Sequence, residues 1–153
     1  TAEEVWQIFG ATGKSIMLET WQSLPQLADE AALLDKWSKI RIYRAEVTRA
    51  LEELRVAGSI GSSLQAKVTI QADGEKYALI DSLGDDLRFV LICSQTRLVR
   101  GAEDKLECAA LPHAKCERCW HVRDDVGADP EHPEICGRCV TNLYGEGEPR
   151  ACA

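Results

Sequence analysis

The pattern of apolar and polar positions predicts one long helix in the first half of the chain. Between Asp29 and Val56, apolar side chains recur at spacings of three, four or seven residues, as they do on one face of an α-helix. These positions are Leu33, Trp37, Ile40, Val47, Leu51 and Leu54, and Arg44 interrupts the stripe. Gly58 and Gly61 follow, as is typical beyond a helix C-terminus. We therefore expect one amphipathic helix that ends near Val56.

Shorter patterns predict a small α+β subdomain after this helix. Residues 66–71 alternate and are rich in β-branched side chains, which predicts a strand. Residues 75–83 place Tyr77, Leu79, Ile80 and Leu83 on one side of a helix that ends at Gly84. Two further segments, 96–99 and 105–110, have the pattern of β structure. Residues 87–92 are too short and too apolar to assign by period alone.

The first thirty residues have a weaker pattern. They combine single aromatic residues with Gly, Ser and Pro, so we expect short helical turns and loop. The aromatic residues Trp6, Phe9 and Trp21 are more typical of core or interdomain packing than of ligand contacts. The chain begins at Thr1 without an initiator Met, and we interpret it as a fragment of a longer protein.

Two Cys-x-x-Cys pairs predict a metal centre near the end of the chain. Cys116 and Cys119 form the first cysteine pair, and after sixteen residues Cys136 and Cys139 form the second. A loop of this length allows four thiolates to reach the corners of a tetrahedron, as in closed structural zinc sites. Four thiolates leave no position for water, so we predict one structural zinc ion per chain. Metal binding would supply the folding free energy of a segment with few large apolar residues.

Other interpretations of the cysteine pairs carry less weight. A redox dithiol usually occurs singly beside a βαβ pattern, whereas two pairs here flank a loop that contains Pro and Gly. Disulfides and chance are the remaining alternatives. Histidines lie near both pairs, but four cysteines already satisfy a tetrahedral metal; these histidines are His113, His121 and His132.

The charge distribution singles out the long helix. The formal net charge of -7 argues against a protein that binds nucleic acids nonspecifically through many phosphate contacts. Between Asp35 and Leu54, five basic residues outnumber four acidic residues, and Arg55 follows. These bases either face solvent in i,i+4 ion pairs or form a surface for phosphates, and the sequence leaves both interpretations open.

Cysteine usage indicates a reducing compartment. No stretch predicts a membrane span or a secretory signal, so the seven cysteines suggest a cytoplasmic protein that does not contact a membrane. Cys93 and Cys108 have the surroundings of small core residues, and Cys152 is a thiol in the tail. None of these three receives a functional role.

Several segments resemble the C-terminal region of bacterial isoleucyl-tRNA synthetases. The sequence KCERCWH at 115–121, the sequence EICGRCV at 134–140 and the short polar tail are similar to the extreme C-terminus of that family. LEELR at 51–55 and IGSSLQA at 60–66 resemble the junction after its anticodon-binding helical bundle, and DLRFVLI at 86–92 also has a counterpart there. The resemblance covers most of residues 31–153.

This resemblance implies an α+β fold with three parts. Residues 1–61 would be the end of the anticodon-binding helical region, 62–111 a small α+β junction subdomain, and 112–153 a zinc-binding module. The implied function is to dock the anticodon stem-loop of tRNA(Ile) for ATP-dependent aminoacylation at a site outside this chain. We find no catalytic site within these residues. The implied partners are tRNA(Ile) and the upstream domains of the parent synthetase, and we expect a monomer.

Four residues are candidates for RNA contacts. Arg118 and Trp120 lie within and directly after the first cysteine pair, where a rigid metal centre would present them to unpaired bases. Alternatively, Trp120 only covers the metal site as part of a miniature core. Arg41 and Arg44 of the long helix are the candidates for phosphate contacts.

Two other functional classes compete with tRNA binding. Formamidopyrimidine-type DNA glycosylases end in a similar four-cysteine finger, which would make the chain part of a DNA-repair enzyme. Their finger follows a helical DNA-binding domain, however, and not a junction and β-rich segment of the kind at 60–110. The other alternative is a zinc ribbon used only for packing or protein assembly.

Overall fold

The computed structural model describes residues 2–9 and 14–148, which belong to two compact units, Thr1–Ala32 and Leu33–Ala153. In the first unit, helix α1 (Ala2–Ile8) precedes a 3-10 turn at Ile16–Leu18, in agreement with the prediction of short turns and loop. The Glu3 carboxylate accepts hydrogen bonds from Ser15 Oγ and Ile16 N, each at 3.0 Å. Among the predicted packing aromatics, Trp6 is half-buried, whereas Phe9 and Trp21 are exposed within these described residues.

The long helix predicted from the apolar stripe is present as α2 (Glu30–Val56). Ile40, Val47 and Leu51 are buried along one face, with Leu54 half-buried beside them. Leu33 is exposed, although it belongs to the predicted stripe. The stripe therefore marks the buried face correctly from Trp37 onward.

A three-stranded sheet packs with α2 in the second unit. Its order is β2-β1-β3, where the central strand β1 (Ala66–Ala72) runs parallel to β2 (Gln95–Arg100) and antiparallel to β3 (Lys105–Ala110). Alternate residues of β1 are buried, as the period of a strand requires. These three strands confirm the predicted β segments. We call residues 33–111 the helix–sheet body.

Two short helices connect β1 to β2. Helix α3 (Gly74–Asp81) confirms the prediction for 75–83, and helix α4 (Leu87–Leu91) occupies the segment whose period was ambiguous. α4 ends at Ile92, whose φ of 55° lies in the left-handed region that a β-branched residue rarely adopts. This turn leads the chain into Cys93 and Ser94, both of which are buried.

The remaining described residues, 112–148, form what we call the zinc module. Strands β4 (Ala114–Lys115) and β5 (Val122–Arg123) pair antiparallel, and helix α5 (Gly137–Tyr144) follows a long loop. The fold class is therefore α+β with a small finger of four clustered cysteines, as predicted. Among the residues that the structure describes, no helix combines the length and apolar character needed to cross a membrane.

Candidate metal centre

Two local structures bring the four cysteines together. The first cysteine pair lies in the connection of the β4–β5 hairpin, where Cys116 N donates to His121 O and Trp120 N donates to Cys116 O, each at 2.9 Å. In the second pair, Cys136 is the N-cap of α5 and Cys139 lies in its first turn. Each pair is therefore fixed by backbone hydrogen bonds close to its sulfur atoms.

The sulfur positions fit one tetrahedral zinc ion. All four Sγ atoms lie within 4.8 Å of one another, and two of the Sγ–Sγ distances between the pairs, Cys116 to Cys139 and Cys119 to Cys136, are both 3.7 Å. A tetrahedron with Zn–S bonds of about 2.3 Å has edges of about 3.8 Å. Cys116, Cys136 and Cys139 are completely buried. These cysteines thus form one closed zinc site, with no open position for a reacting water molecule.

The environment of the thiols favours a cation among them. Burial raises the pKa of Cys119 and of Cys136. Burial also opposes ionisation of Cys116, but backbone N–H groups of Cys119, Cys136 and Arg118 lower its pKa to about 6. Clustered thiols of this kind do not all ionise without a compensating charge, and a zinc ion supplies that charge when bound.

A pair of charged side chains holds the loop against the second cysteine pair. Arg123 donates from Nε and Nη2 to the two carboxylate oxygens of Asp125, at 2.7 and 2.8 Å. Arg123 and the Gly137 N–H lower the pKa of Asp125. Since Gly137 is the first residue of α5, the carboxylate joins the loop to the helix that carries Cys139.

Arg118 is turned toward the metal centre. Its Nη1 lies 3.6 Å from Cys139 Sγ and donates to that sulfur. A guanidinium in this position offsets the negative charge of a thiolate ligand and orients it. The side chain is otherwise exposed, so it keeps further donors for a partner.

Trp120 is mostly exposed to solvent. Its side chain is 62% exposed, and the apolar side chains that pack against the buried cysteines are Val126 and Ile135. Its φ of 64° lies in the left-handed region, where glycine is the easiest residue to accommodate. Lys115 Nζ lies 5.8 Å from the centre of the indole ring. The indole is therefore a surface feature of the zinc module.

The histidines near the pairs make other contacts. His121 Nδ1 lies 3.1 Å from Cys119 O, and its ring meets Phe89 of α4 edge to face at 5.9 Å. His132 stacks on Tyr144 with ring centres 4.0 Å apart. The potential metal cluster found among the described residues consists of the four cysteines.

The two predicted phosphate-binding residues of α2 differ in their surroundings. Both side chains are exposed, but Arg44 Nε donates to Val90 O of α4 at 2.9 Å. Neighbouring bases of the same helix form ion pairs: Lys39 with Asp35 and Glu75, and Arg55 with Glu52. Carboxylates thus neutralise part of the basic surface. This agrees with the interpretation that these bases face solvent in ion pairs.

Sequence reasoning missed the residues that join the zinc module to the helix–sheet body. Ser94 is buried and its hydroxyl accepts a hydrogen bond from Val122 N at 2.8 Å. Phe89 contacts His121, and the Arg138 guanidinium lies 4.9 Å from the centre of its ring. The apolar segment 87–92 was apparent in the sequence, but it is too short to assign by period, and nothing in its pattern indicated what it would contact.

Comparison with known proteins identifies what this chain resembles. A family model described as "Zinc finger found in FPG and IleRS" matches residues 115–142. Over the whole chain, an isoleucine–tRNA ligase of Dechloromonas aromatica is 60% identical and one of Paraburkholderia xenovorans is 53% identical. One of Thiobacillus denitrificans is 54% identical over 98% of the chain.

The chain spans 16% of the length of these relatives. The DNA-glycosylase interpretation is not favoured, because the zinc finger is common to both families whereas these full-chain relatives are isoleucine–tRNA ligases. The resemblance of this chain to the C-terminal region of isoleucyl-tRNA synthetases, with its zinc finger, is thereby confirmed.

Proposed function

We propose that this chain is the tRNA-binding C-terminal part of an isoleucine–tRNA ligase. It would dock the anticodon stem-loop of tRNA(Ile), so that aminoacylation proceeds at an ATP-dependent site outside these residues. Similarity over the whole chain to proteins named isoleucine–tRNA ligase supports the assignment. The parent would act in the cytoplasm as a monomer. Its parts here would be residues 1–61, 62–111 and 112–153.

The geometry of Trp120 carries the proposed contact with RNA. An exposed indole can stack on an unpaired base, a contact worth about 1 to 3 kcal/mol per base. Trp120 also occupies a backbone conformation that costs a side-chain-bearing residue roughly 1–2 kcal/mol relative to glycine. Burial of the rest of the indole, at about 25 cal/mol per Å², is comparable with that cost, so the 62% exposure of Trp120, and not the strain, supports a contact with a partner. We therefore assign the indole to base stacking.

The other three candidates have supporting roles in this proposal. Arg118 would offset part of the negative charge of the metal centre through Cys139 and offer its remaining donors to RNA beside the indole. Arg41 would contact a phosphate directly, because its side chain is exposed and no pairing with a described carboxylate competes for it. Arg44 would contribute less, since Val90 O already occupies its Nε.

Binding of two probes to the full chain tests the proposal. We expect the tRNA(Ile) transcript to bind more tightly than a duplex DNA that contains an abasic site, measured by filter binding or anisotropy at several salt concentrations. Preference for the abasic duplex would favour DNA repair, and no binding to either probe would favour a zinc ribbon that serves only packing or assembly.

Substitutions on α2 separate phosphate contacts from solvated charges. Arg41→Ala should weaken binding to any tRNA and lower the salt slope by about one unit or less. Arg55→Ala is the matched control on the same helix, because Glu52 already binds its guanidinium at 2.6 and 2.8 Å. An equal change in slope for both variants would show a general charge effect and no contact at Arg41.

A further inference from the structure

Ser94 occupies the point where the zinc module meets the helix–sheet body. It is only 4% exposed, and its backbone N–H donates to Ala66 O at 3.1 Å, which fixes it beside the first residue of β1. Its hydroxyl donates to Leu64 O, in the 3-10 turn that leads into β1. The same oxygen accepts from Val122 N at 2.8 Å. One side chain thus links backbone groups of both parts of the chain.

The hydrogen bond to Val122 acts directly on the hairpin that carries Trp120. Val122 is in β5 and is 5% exposed. Its neighbour His121 accepts from Cys116 N through its carbonyl, and Trp120 precedes His121. A shift of β5 relative to the sheet would therefore move the cysteine pair and the indole together.

Two further features flank Ser94 at this junction. Beside Ser94 lies an open cleft of about 200 Å³, lined by polar residues of both parts such as Asp85, His113 and Arg123. On the other side, the Phe89 ring of α4 meets His121 and the guanidinium of Arg138. Among the described residues, the buried apolar clusters of the two parts are separate, so directional contacts such as the Ser94 hydrogen bond contribute to the orientation of the module.

We infer that Ser94 is a positioning residue, whose hydroxyl fixes the orientation of the zinc module on the sheet and thereby presents Trp120 to RNA. The RNA part of this inference rests on the proposed function. Without the hydroxyl, the module would sample several orientations, and the affinity for RNA would fall by the fraction of molecules in the competent one. Ser94 is not one of the four clustered cysteines that would hold the metal.

Orientation is the first readout, and it requires no RNA. Residual dipolar couplings of the zinc-loaded chain should fit one alignment for the sheet and the module in the unmodified protein, and two alignments in Ser94→Ala. Exchange of the Val122 amide should accelerate in that variant, whereas the Cys116 amide, which donates within the hairpin, stays protected. Ser94→Thr keeps a hydroxyl and should restore both properties.

Two further variants complete the test, the first as a negative control and the second as an independent way to loosen the junction. Ser82→Ala removes an exposed hydroxyl that donates to Leu79 O at the end of α3, and it should leave both readouts unchanged. Phe89→Leu removes the ring contacts on the other side of the junction and should also loosen the orientation, with zinc retained. Unchanged couplings and Val122 exchange in Ser94→Ala would overturn the inference.

The second readout is a double-mutant cycle with the tRNA(Ile) transcript. Ser94→Ala should keep one zinc per chain and weaken binding about fivefold. A factor of this size is what the loss of one hydrogen bond typically causes in a conformational equilibrium. In a Trp120→Gly background the same change should have less than a twofold effect, since it acts through the indole.

Weakening by Trp120→Gly alone, with none from Ser94→Ala, would refute the positioning role and leave the proposed function standing. No effect of Trp120→Gly would refute the stacking proposal, and with it the RNA part of the inference, while the couplings still decide whether Ser94 orients the module.

Discussion

The helix–sheet body and the zinc module obtain their stability from different sources. The body buries a continuous apolar cluster in which α2, the sheet and the short helices all take part, with Val47, Val68 and Leu87 among its members. The buried cluster of the module consists of three cysteines, against which Cys119, Val126 and Ile135 pack. Burial of apolar area can therefore maintain the body, whereas we expect the module to depend on its metal. Trp120 can therefore remain exposed in the module, because its indole is not part of the buried cluster there.

Loss of the metal should produce the largest effect. Cys136→Ser, or chelation of zinc, should unfold residues 112–148 while α2 and the sheet remain folded, because zinc binding supplies on the order of 10 kcal/mol of folding free energy to such modules. Metal analysis together with residue-resolved hydrogen exchange measures both parts at once. We expect about one zinc per chain before the change.

Cys108→Ala is the matched control for that experiment. Cys108 is half-buried in β3 and lies outside the sulfur cluster, so the variant should keep its zinc. Simultaneous unfolding of both parts in Cys136→Ser would show that the body also depends on the metal. A zinc content near zero in the unmodified protein, with the four thiols found as disulfides, would contradict the metal site itself.

A cavity in the body should have the next largest effect. Leu51 of α2 is 5% exposed, and Leu51→Ala should lower the free energy of unfolding by about 2 to 5 kcal/mol without changing the zinc content. Denaturant unfolding monitored separately at α2 and at the sheet provides the measurement. Leu34→Ala is the control on the same helix, since Leu34 is 60% exposed and should tolerate the change.

Leu51→Ala also tests the boundary predicted at residue 61. The buried cluster includes Leu51 of α2 and Val68 of β1, so we expect helix and sheet to lose stability together. If α2 unfolds at lower denaturant while the sheet keeps its original midpoint, residues 1–61 and 62–111 are independent folding units. That outcome would show that α2 and the sheet do not depend on the same buried cluster for their stability.

The contrast also explains which elements could be predicted from the sequence. α2 and β1 were predictable because burial of one face imposes a period over many residues. The four cysteines were predictable because metal geometry fixes their spacing. α4 spans five residues, too few to show a period, and β4 and β5 span two residues each.

The contacts between the two parts were beyond sequence reasoning. Ser94 Oγ meets a backbone N–H twenty-eight residues later, and a backbone group leaves no mark in the amino-acid pattern. The exposure of Trp120 was open for a similar reason, because the same residue could cover the metal or face solvent. The left-handed φ of Trp120 and its exposed indole were structural findings.

Two substitutions of Trp120 should differ in stability while they weaken RNA binding to a similar degree. Trp120→Gly should be more stable than Trp120→Ala by about 1 kcal/mol, since glycine adopts a positive φ without strain. Both variants should bind the tRNA(Ile) transcript about five- to a hundredfold more weakly than the unmodified chain, the equivalent of about 1 to 3 kcal/mol of stacking. Thermal unfolding of the module, zinc content and RNA affinity are measured for each.

Zinc content and stability of the two Trp120 variants separate packing from recognition. If the indole covered the metal site, both variants would lose zinc more readily than the unmodified chain, because both remove the whole ring. Retention of zinc, of stability and of the full charging efficiency when the parent synthetase carries either change would leave Trp120 without a role in recognition.

Thiol labelling should reveal the smallest of these differences. It compares how cysteines are protected from modification in the two parts. Cys93 is completely buried in the body, and burial raises its pKa to about 12, which leaves about a thousandfold less thiolate than an ordinary thiol has. In the zinc-loaded protein, iodoacetamide at pH 8 should leave Cys93 and the four metal-site cysteines unmodified, as resolved by peptide mass spectrometry. Chelation should then expose Cys116 and its three partners while Cys93 stays unreactive, because zinc protects the former and packing protects the latter.

Leu51→Ala supplies the reverse control, since loosening the body should speed labelling of Cys93 and leave the metal-bound thiols protected. Labelling of Cys93 as soon as zinc is removed would show that the body does not hold its core without the module.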